Sequence, residues 1–199
     1  MDIAPRIARY GMPGVWQHGN QIGANSMKFA YADPPYLGKG KKYVELHDEA
    51  LIWDDPITHI QLLERLMDEY PDGWAVSFDA ISLRLYLANS HPKSRLCVWT
   101  KTFHQIWWHQ PVQWATEYVL LYGGRKNQRV NPMIRDWHSG ARANKAGLYG
   151  AKPDHFNQWI LDLLQYQPGD QLDDLFPGTN GMANAIKFKH MNFKLDLNV

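Results

Sequence analysis

The order of apolar and polar positions along the chain predicts strands that alternate with helices. Apolar runs of strand length, bounded by turn residues, lie at 28–32, 74–78, 95–100, 116–122 and 171–176. Apolar residues at helical spacing predict helices at 57–70, 152–164, from Asp79 to about Asn89, and from about Met182. Such alternation is typical of an open α/β sheet, which binds ligands at the carboxyl ends of its strands.

Several segments depart from this alternation. The strands at 95–100 and 116–122 have no helical pattern between them, so we expect an antiparallel pair at one edge of the sheet. Residues 1–27 contain several glycines without a clear period and are interpreted as an irregular N-terminal arm. Residues 191–199 alternate and are a candidate for one more strand.

Composition narrows the class of protein. With 199 residues, 45% of them hydrophobic, and a net charge of +1, the chain is expected to form one soluble domain, 1–199. The single cysteine, Cys97, excludes an internal disulfide and fits a reducing cytoplasm. No apolar stretch reaches the roughly 20 residues of a membrane span, so no membrane partner is expected. His104 and His109 lack an accompanying cluster of ligands, and no metal site is predicted.

Asp33-Pro34-Pro35-Tyr36 directly follows the strand at 28–32 and is the strongest candidate for chemistry. Proline has no backbone N–H and fixes its own backbone angle, so the strand stops and leaves Asp33 at its tip. The Asp33 carboxylate and the Pro34 carbonyl are then rigid acceptors beside the ring of Tyr36. This arrangement suits a planar group with an exocyclic amine, because the amine donates while the ring stacks. An ordinary turn at a strand end is the alternative.

A second constellation lies near the end of the chain. Lys152-Pro153 opens a helix, and the strand at 171–176 carries Asp174 and Phe176. The loop Pro177-Gly178-Thr179-Asn180-Gly181 then leads into the last helix. A strand, a glycine-bearing loop and a helix N-terminus together let a backbone approach a ligand closely.

Basic and aromatic segments suggest contact with a nucleic acid. The lysine-rich loop at 38–43 follows the Asp33 motif, and residues 125–150 are predicted to be a long loop with six basic residues and one acid. Phosphate contacts would supply affinity without sequence specificity, and plain solvated loops are the alternative. Residues 103–111 are either an aromatic platform for base stacking or a loop packed in the core. The candidate nucleic-acid contacts are Lys39, Lys41, Lys42, Arg125, Lys126, Arg129, Arg135 and Arg142.

The Asp-Pro-Pro-Tyr motif resembles the catalytic motif of the amino-methyltransferases, which use S-adenosylmethionine to methylate an exocyclic nitrogen of adenine or cytosine. The unit from Lys152 to Gly181 is similar to the cofactor-binding region of that family. Its position after the catalytic motif matches a circularly permuted branch. That branch includes bacteriophage DNA adenine methyltransferases and the adenosine N6-methyltransferases of messenger RNA. The resemblance covers roughly residues 28–186.

This resemblance implies a fold and an activity. The expected fold is an α/β, Rossmann-like methyltransferase sheet with helices on both faces, circularly permuted and shortened at its C-terminal end. The expected activity is methylation of adenine N6 in DNA, in the cytoplasm of a bacterial or phage-infected cell, with restriction-modification as one setting. The alternatives are a cytosine N4 or an RNA adenosine N6 enzyme, or a non-catalytic subunit that binds nucleic acid.

The resemblance also implies roles for individual residues. Asp33-Pro34-Pro35-Tyr36 would be the catalytic residues: Asp33 and the Pro34 carbonyl accept from the target amine, and Tyr36 stacks on the base. Lys152 would hold the carboxylate of the cofactor's methionine part. The remaining pocket for S-adenosylmethionine would be lined by Asp33, Asp174, Phe176, Pro177, Gly178, Thr179 and Asn180.

The family adds two strands after the cofactor motif, and these supply an acidic residue for the cofactor ribose. This sequence has only 18 residues after Gly181. Asp196 is a candidate for the ribose contact. Otherwise the N-terminal arm or a second subunit, in a homo-oligomer, is expected to complete the pocket.

Overall fold

The structure, a computed structural model, describes residues 26–45, 49–102, 106, 108–126, 133–142 and 150–196. The predicted arm lies outside the described residues except for Ser26 and Met27. Arg129 and part of the aromatic stretch, 103–105 and 107, also lie outside them, as does the side chain of Asp196.

The described residues form six strands and four α-helices. The strands are β1 (Lys28–Ala32), β2 (Gly73–Phe78), β3 (Arg95–Lys101), β4 (Thr116–Gly123), β5 (Trp137–Gly140) and β6 (Gln171–Asp174). The helices are α1 (Pro56–Glu69), α2 (Leu83–Asn89), α3 (Asp154–Leu163) and α4 (Gly181–Asp196), with short 3-10 turns at Gly40–Lys42 and Ala50–Asp54. None of these helices is long and apolar enough to cross a bilayer.

The strands form one sheet in the order β5-β3-β4-β2-β1-β6. β1 is parallel to both of its neighbours, β2 and β6. β4 is antiparallel to β2 and β3, which confirms the expected antiparallel pair. β3 therefore runs in the same direction as β1 and β2, and their carboxyl ends share one edge of the sheet.

Both faces of the sheet are covered by helices. Because successive residues of a strand face opposite sides, Phe29 and Val119 pack with α3 and α4, whereas Ala30 and Leu120 pack with α1 and α2. All four of these residues are completely buried. The predicted class, a Rossmann-like α/β sheet between two helical layers, is confirmed.

The segment 125–150 contains a strand and is not the uninterrupted loop that the sequence predicts. β5 pairs in parallel with β3, and Val98 N donates to the Asp136 carbonyl at 2.9 Å. A ring nitrogen of His138 in β5 lies 2.7 Å from one of His155 in α3. Four residues are too few to display a period, so pairing with distant residues decides their conformation. As a result, β3 and β4 lie inside the sheet and not at its edge.

The strand expected at 191–199 is wrong over 191–196, because α4 continues to Asp196, and 197–199 lie outside the described residues. α4 is held on α3 by polar contacts: Gln158 Nε2 donates to the Ala185 carbonyl at 2.9 Å, and Lys189 pairs with Asp162. These tertiary contacts override the local alternation.

Two element ends differ from the prediction because aspartates close turns. The helix expected from Asp79 begins at Leu83, since Asp79 Oδ1 accepts from the backbone N and the hydroxyl of Ser82, at 3.2 and 3.0 Å. β6 ends at Asp174, whose Oδ1 accepts from Phe176 N at 3.2 Å and turns the chain out of the sheet.

Candidate active site

The two motifs meet at one edge of the sheet. β1 and β6 are parallel neighbours with Tyr31 opposite Asp174, so Asp33 and Asp174 leave the sheet side by side. Lys152, just before α3, reaches the same edge and contacts Asp33 across 119 positions of sequence. The prediction that these distant segments lie together is confirmed.

A cavity of about 640 Å³ opens at this edge. Of the residues singled out from the sequence, Asp33, Pro35, Lys152, Asp174, Phe176, Pro177, Gly178 and Thr179 line it. Pro34, Tyr36 and Asn180 do not belong to its wall. Pro34 is buried, and Asn180 has a φ of 57° and donates its N–H to the Pro177 carbonyl at 2.6 Å, which closes the loop before α4.

Lys152 lies at the centre of a buried polar cluster beside the cavity. Its side chain is 8% exposed, and Nζ lies 2.7 Å from each carboxylate oxygen of Asp33. Nζ also lies 3.0 Å from the Tyr36 hydroxyl, and that hydroxyl donates to Asp33 Oδ1 at 3.2 Å. Asp33, Tyr36 and Lys152 therefore form one hydrogen-bonded unit.

Glu117 of β4 completes this cluster from the neighbouring part of the sheet. Its Oε2 accepts from the Tyr36 hydroxyl at 2.8 Å and lies 3.3 Å from Lys152 Nζ. Its other oxygen pairs with Lys101 at the end of β3. Two ammonium groups and two carboxylates thus balance one another with little access to water.

Burial and charge within the cluster shift the pKa values of Asp33, Glu117 and Lys152. Burial raises the pKa of Asp33, and the Lys152 ammonium offsets part of this rise. Burial would also raise the pKa of Glu117, but Lys152 and Lys101 outweigh it and lower that pKa to about 2. Burial would lower the pKa of Lys152, but Asp33 and Glu117 outweigh it and raise that pKa above its ordinary value. Lys152 and Glu117 are therefore held in their charged forms.

An aromatic wall closes another side of the cavity. Trp53 meets Phe176 edge to face, with ring centroids 5.0 Å apart at 77°. Completely buried His59 of α1 supports Trp53, because its Nε2 bonds the Trp53 carbonyl at 2.8 Å while Nδ1 bonds the Tyr86 hydroxyl at 2.9 Å. A carbonyl can only accept, so Nε2 carries the proton and Nδ1 accepts from Tyr86. Burial lowers the pKa of His59, which favours this neutral form.

Asp174 is the second carboxylate at the base of the cavity. Burial raises its pKa to about 6, the hydrogen bond from Phe176 N opposes the rise, and the nearby charge of Asp33 adds to it. Asp174 therefore changes its charge near pH 6, which lies within the pH range of cells and of ordinary assays.

Sequence reasoning missed several residues of this site. An acidic residue inside the otherwise apolar strand β4 was the only signal for Glu117. Glu49 lines the cavity, and its side chain has no hydrogen-bond partner among the described residues. Asn157 also lines it, 2% exposed, and its Nδ2 has no partner in the described part of the chain. Tyr43, Trp53 and Gly150 are among the other lining residues that were missed, and no local pattern distinguishes these three from other loop residues.

The basic candidates fall into two groups. Lys39 pairs with Asp79 at 2.6 Å, and Arg125 pairs with Asp170 at 2.5 Å with only 10% of its side chain exposed. These two charges are already matched within the chain. The other described candidates are exposed at the surface: Lys41, Lys42, Lys126, Arg135 and Arg142.

Two tryptophans of the β3–β4 connection are at the surface and do not pack in the core. Trp108 is 93% exposed and Trp114 is 54% exposed. The ring of Trp114 is oriented by its Nε1, which donates to Gln110 Oε1 at 3.0 Å. Because the connection leaves β3 at its carboxyl end, these rings lie on the edge of the sheet that carries Asp33.

The six-stranded sheet between two helical layers is a Rossmann-like α/β fold. Among solved structures, the crystal structure of an M1.HpyAVI–SAM complex matches this chain with a TM-score of 0.50 and 16% sequence identity. The match covers 83% of this chain and 80% of that chain. No protein-family model matches the sequence, and no curated protein matches it significantly. At this identity the likeness concerns the fold.

Proposed function

We propose that the protein transfers a methyl group from S-adenosylmethionine to the exocyclic N6 amine of adenine in DNA. The observation that carries this proposal is the contact of Asp33 with Lys152 in the wall of a cavity that both motifs line. The M1.HpyAVI structure, which has the same fold, is a complex with SAM.

The cavity suits a ligand of this kind in size and chemistry. Its volume of about 640 Å³ falls in the range of about 300 to 1,000 Å³ that is usual for small-molecule sites. The aromatic wall of Trp53 and Phe176 offers an apolar surface for the adenine ring. Glu49 is the cavity carboxylate without a hydrogen-bond partner among the described residues, so it is available to the ribose hydroxyls. Ionised Asp174 adds a negative charge suited to the cationic end of the cofactor.

The chemistry requires a planar amine to become a nucleophile. The lone pair of the adenine amine is delocalised into the ring, and hydrogen bonds to Asp33 and to the Pro34 carbonyl would favour the form in which it is free. Bound in the cavity, S-adenosylmethionine supplies a methyl group on a sulfonium. As the bond between nitrogen and the methyl group forms, the bond between that group and sulfur breaks and its electron pair stays on sulfur. One amine proton must leave, and Asp33, whose pKa is raised by burial, is an acceptor at hand.

No covalent enzyme intermediate is needed in this reaction. Cys97, the single cysteine, is completely buried, and burial raises the pKa of its thiol to about 12. A protonated thiol inside the sheet is a poor nucleophile. Cys97 therefore packs the core and has no part in catalysis.

Access to duplex DNA requires that the target base leave the stack. Lys41 and Lys42, which are exposed and follow the Asp33 motif in the sequence, would meet phosphates of the bound DNA. Trp108 and Trp114 offer flat rings at the same edge of the sheet, and aromatic rings stack on any base. Arg142, exposed just after β5, adds a further positive charge.

The direct test is transfer of tritiated methyl groups from S-adenosylmethionine to DNA and to RNA. The wild-type protein should label DNA, and Asp33→Ala, with its fold verified by circular dichroism, should lose at least about 100-fold of the rate. Asp68→Ala, which removes an exposed carboxylate from α1, is the matched control and should keep the wild-type rate. Labelling of RNA alone would assign the alternative substrate. Equal rates for Asp33→Ala and the wild type would refute the proposal.

A further inference from the structure

Glu117 is a buried carboxylate inside the sheet, and its burial needs an explanation. It belongs to β4, in the interior of the sheet, and its side chain is only 16% exposed. A buried ion pair contributes little net stability compared with apolar residues of similar size, because both charges lose water. A contribution to stability alone therefore does not account for a charged residue at position 117.

Lys152 Nζ has one oxygen neighbour more than it has protons to donate. An ammonium group donates three hydrogen bonds, whereas four oxygens surround Lys152 Nζ: both oxygens of Asp33, the Tyr36 hydroxyl and Glu117 Oε2. In the structure, Asp33 takes the two shortest contacts and Glu117, at 3.3 Å, takes the longest. Glu117 is thus a spare acceptor beside the ammonium.

The Tyr36 hydroxyl likewise has more acceptor neighbours than protons to donate. It has one proton and two carboxylate neighbours, Glu117 at 2.8 Å and Asp33 at 3.2 Å. The shorter contact is to Glu117, so the hydrogen bond from this hydroxyl to Asp33 is the weaker of the two. Glu117 therefore draws a donor away from the carboxylate that the target amine needs.

We propose that Glu117 is a positioning residue that acts through Lys152 and Tyr36 to release Asp33 for the target amine. This proposal rests on the proposed function. As the amine approaches an oxygen of Asp33, Lys152 shifts towards Glu117 and keeps a counterion throughout. Without the charge of Glu117, Lys152 depends on Asp33 alone and competes with the amine for its oxygens.

The test variant is Glu117→Gln, which keeps the size of the side chain and an acceptor for the Tyr36 hydroxyl but removes the charge. We expect kcat for methyl transfer to fall at least about tenfold, while KM for S-adenosylmethionine changes less than about threefold, because the loss falls on the approach of the amine. Glu64→Gln, on the exposed surface of α1, is the matched control and should not change kcat. A Glu117→Gln variant with kcat within twofold of the wild type would overturn the proposal.

A merely structural role makes a different prediction, because Glu117 also neutralises Lys101. If that were its whole task, the double variant Lys101→Met, Glu117→Gln would restore wild-type kcat, since it removes both members of the pair. In our account the double variant stays as slow as Glu117→Gln, because Lys152 still has Asp33 as its sole carboxylate partner. Restoration of kcat would therefore contradict the proposal.

A readout independent of activity separates this proposal from the proposed function. Competitive acetylation with acetic anhydride across pH, analysed by mass spectrometry, follows the reactivity of Lys152. Glu117 raises the pKa of Lys152, so in Glu117→Gln this reactivity should rise at a lower pH than in the wild type. An unchanged profile would refute the coupling. A shifted profile in a protein that methylates neither DNA nor RNA would uphold the coupling and refute the proposed function.

Discussion

Lys152 Nζ lies 2.7 Å from both carboxylate oxygens of Asp33, although the two residues are 119 positions apart in the sequence. The contact ties the end of β1 to the start of α3 and sets one wall of the cavity. It also occupies the ammonium that was predicted to hold the cofactor's carboxylate. The observed role of Lys152 is therefore to pair with Asp33. Its contact with the cofactor stays a prediction.

Removal of Lys152 should destabilise the protein strongly. Lys152→Met leaves Asp33 and Glu117 buried without their shared cation, and breaking such a pair costs about 3 to 5 kcal/mol. Urea unfolding measures the loss. The matched control is Lys189→Met, whose surface pair with Asp162 is more exposed and should be worth about 1 kcal/mol or less. Equal losses in the two variants would show that the Lys152 cluster is not stabilising in the way described.

Asp174 should make stability depend on pH. Its folded pKa of about 6 is above that of an unfolded aspartate, so the folded state binds this proton more tightly. The resulting stabilisation is full below about pH 4 and is lost as the pH rises through about 6. Asp174→Asn should therefore raise Tm at pH 7 relative to the wild type and leave it nearly unchanged at pH 4, as measured by calorimetry.

The same substitution should weaken binding of S-adenosylmethionine at pH 7, because it removes a negative charge from the cavity. A stabilised variant with lower affinity is the usual compromise at a binding site. Asp68→Asn, on the exposed surface of α1, is the control and should change neither quantity. A lower Tm for Asp174→Asn at pH 7 would contradict the assigned direction.

The aromatic wall should contribute much of the affinity for the cofactor. Trp53→Ala removes the ring that faces Phe176 and should weaken S-adenosylmethionine binding about tenfold, consistent with the loss of about 1 to 2 kcal/mol of stacking. Titration calorimetry gives the dissociation constant. Trp114→Ala, which removes a ring on the β3–β4 connection, should bind the cofactor as the wild type does. Unchanged affinity in Trp53→Ala would place the adenine ring elsewhere.

Exposed lysines near the cavity should account for part of the salt dependence of DNA binding. Lys41→Ala and Lys42→Ala should each weaken binding to all sequences and reduce the slope of log K against log salt by about 1. Fluorescence anisotropy at several salt concentrations measures the slope. Lys93→Ala is the control, because Lys93 precedes β3 and lies at the opposite edge of the sheet. If all three variants change the slope equally, binding does not occur at the Asp33 edge.

The sequence was informative where structure is decided locally. Two prolines stop β1 directly after the strand, and the helical spacing in α1 and α3 was long enough to be recognised. These two features need no knowledge of distant partners. The juxtaposition of Asp33 and Lys152, by contrast, was implied by the resemblance of the two motifs to those of the amino-methyltransferases.

Features that depend on contacts between distant residues could not be predicted from the local sequence. β5 is a strand because β3 pairs with it, and α4 remains helical to its end because α3 packs along it. Glu117 belongs to the site only because β4 lies next to β2 in the sheet, which brings it to Tyr36. Trp53 lines the cavity because His59 holds its backbone carbonyl.

The proposal that most needs a test is that the protein methylates adenine in DNA at the cavity that Asp33 and Lys152 line. Mass spectrometry of nucleosides from the DNA of cells that express the protein tests it most directly, with the Asp33→Ala variant expressed in parallel. The account predicts N6-methyladenine above background with the wild-type protein and none above background with the variant. Equal levels in the two cultures, or no N6-methyladenine with the wild type, would contradict it.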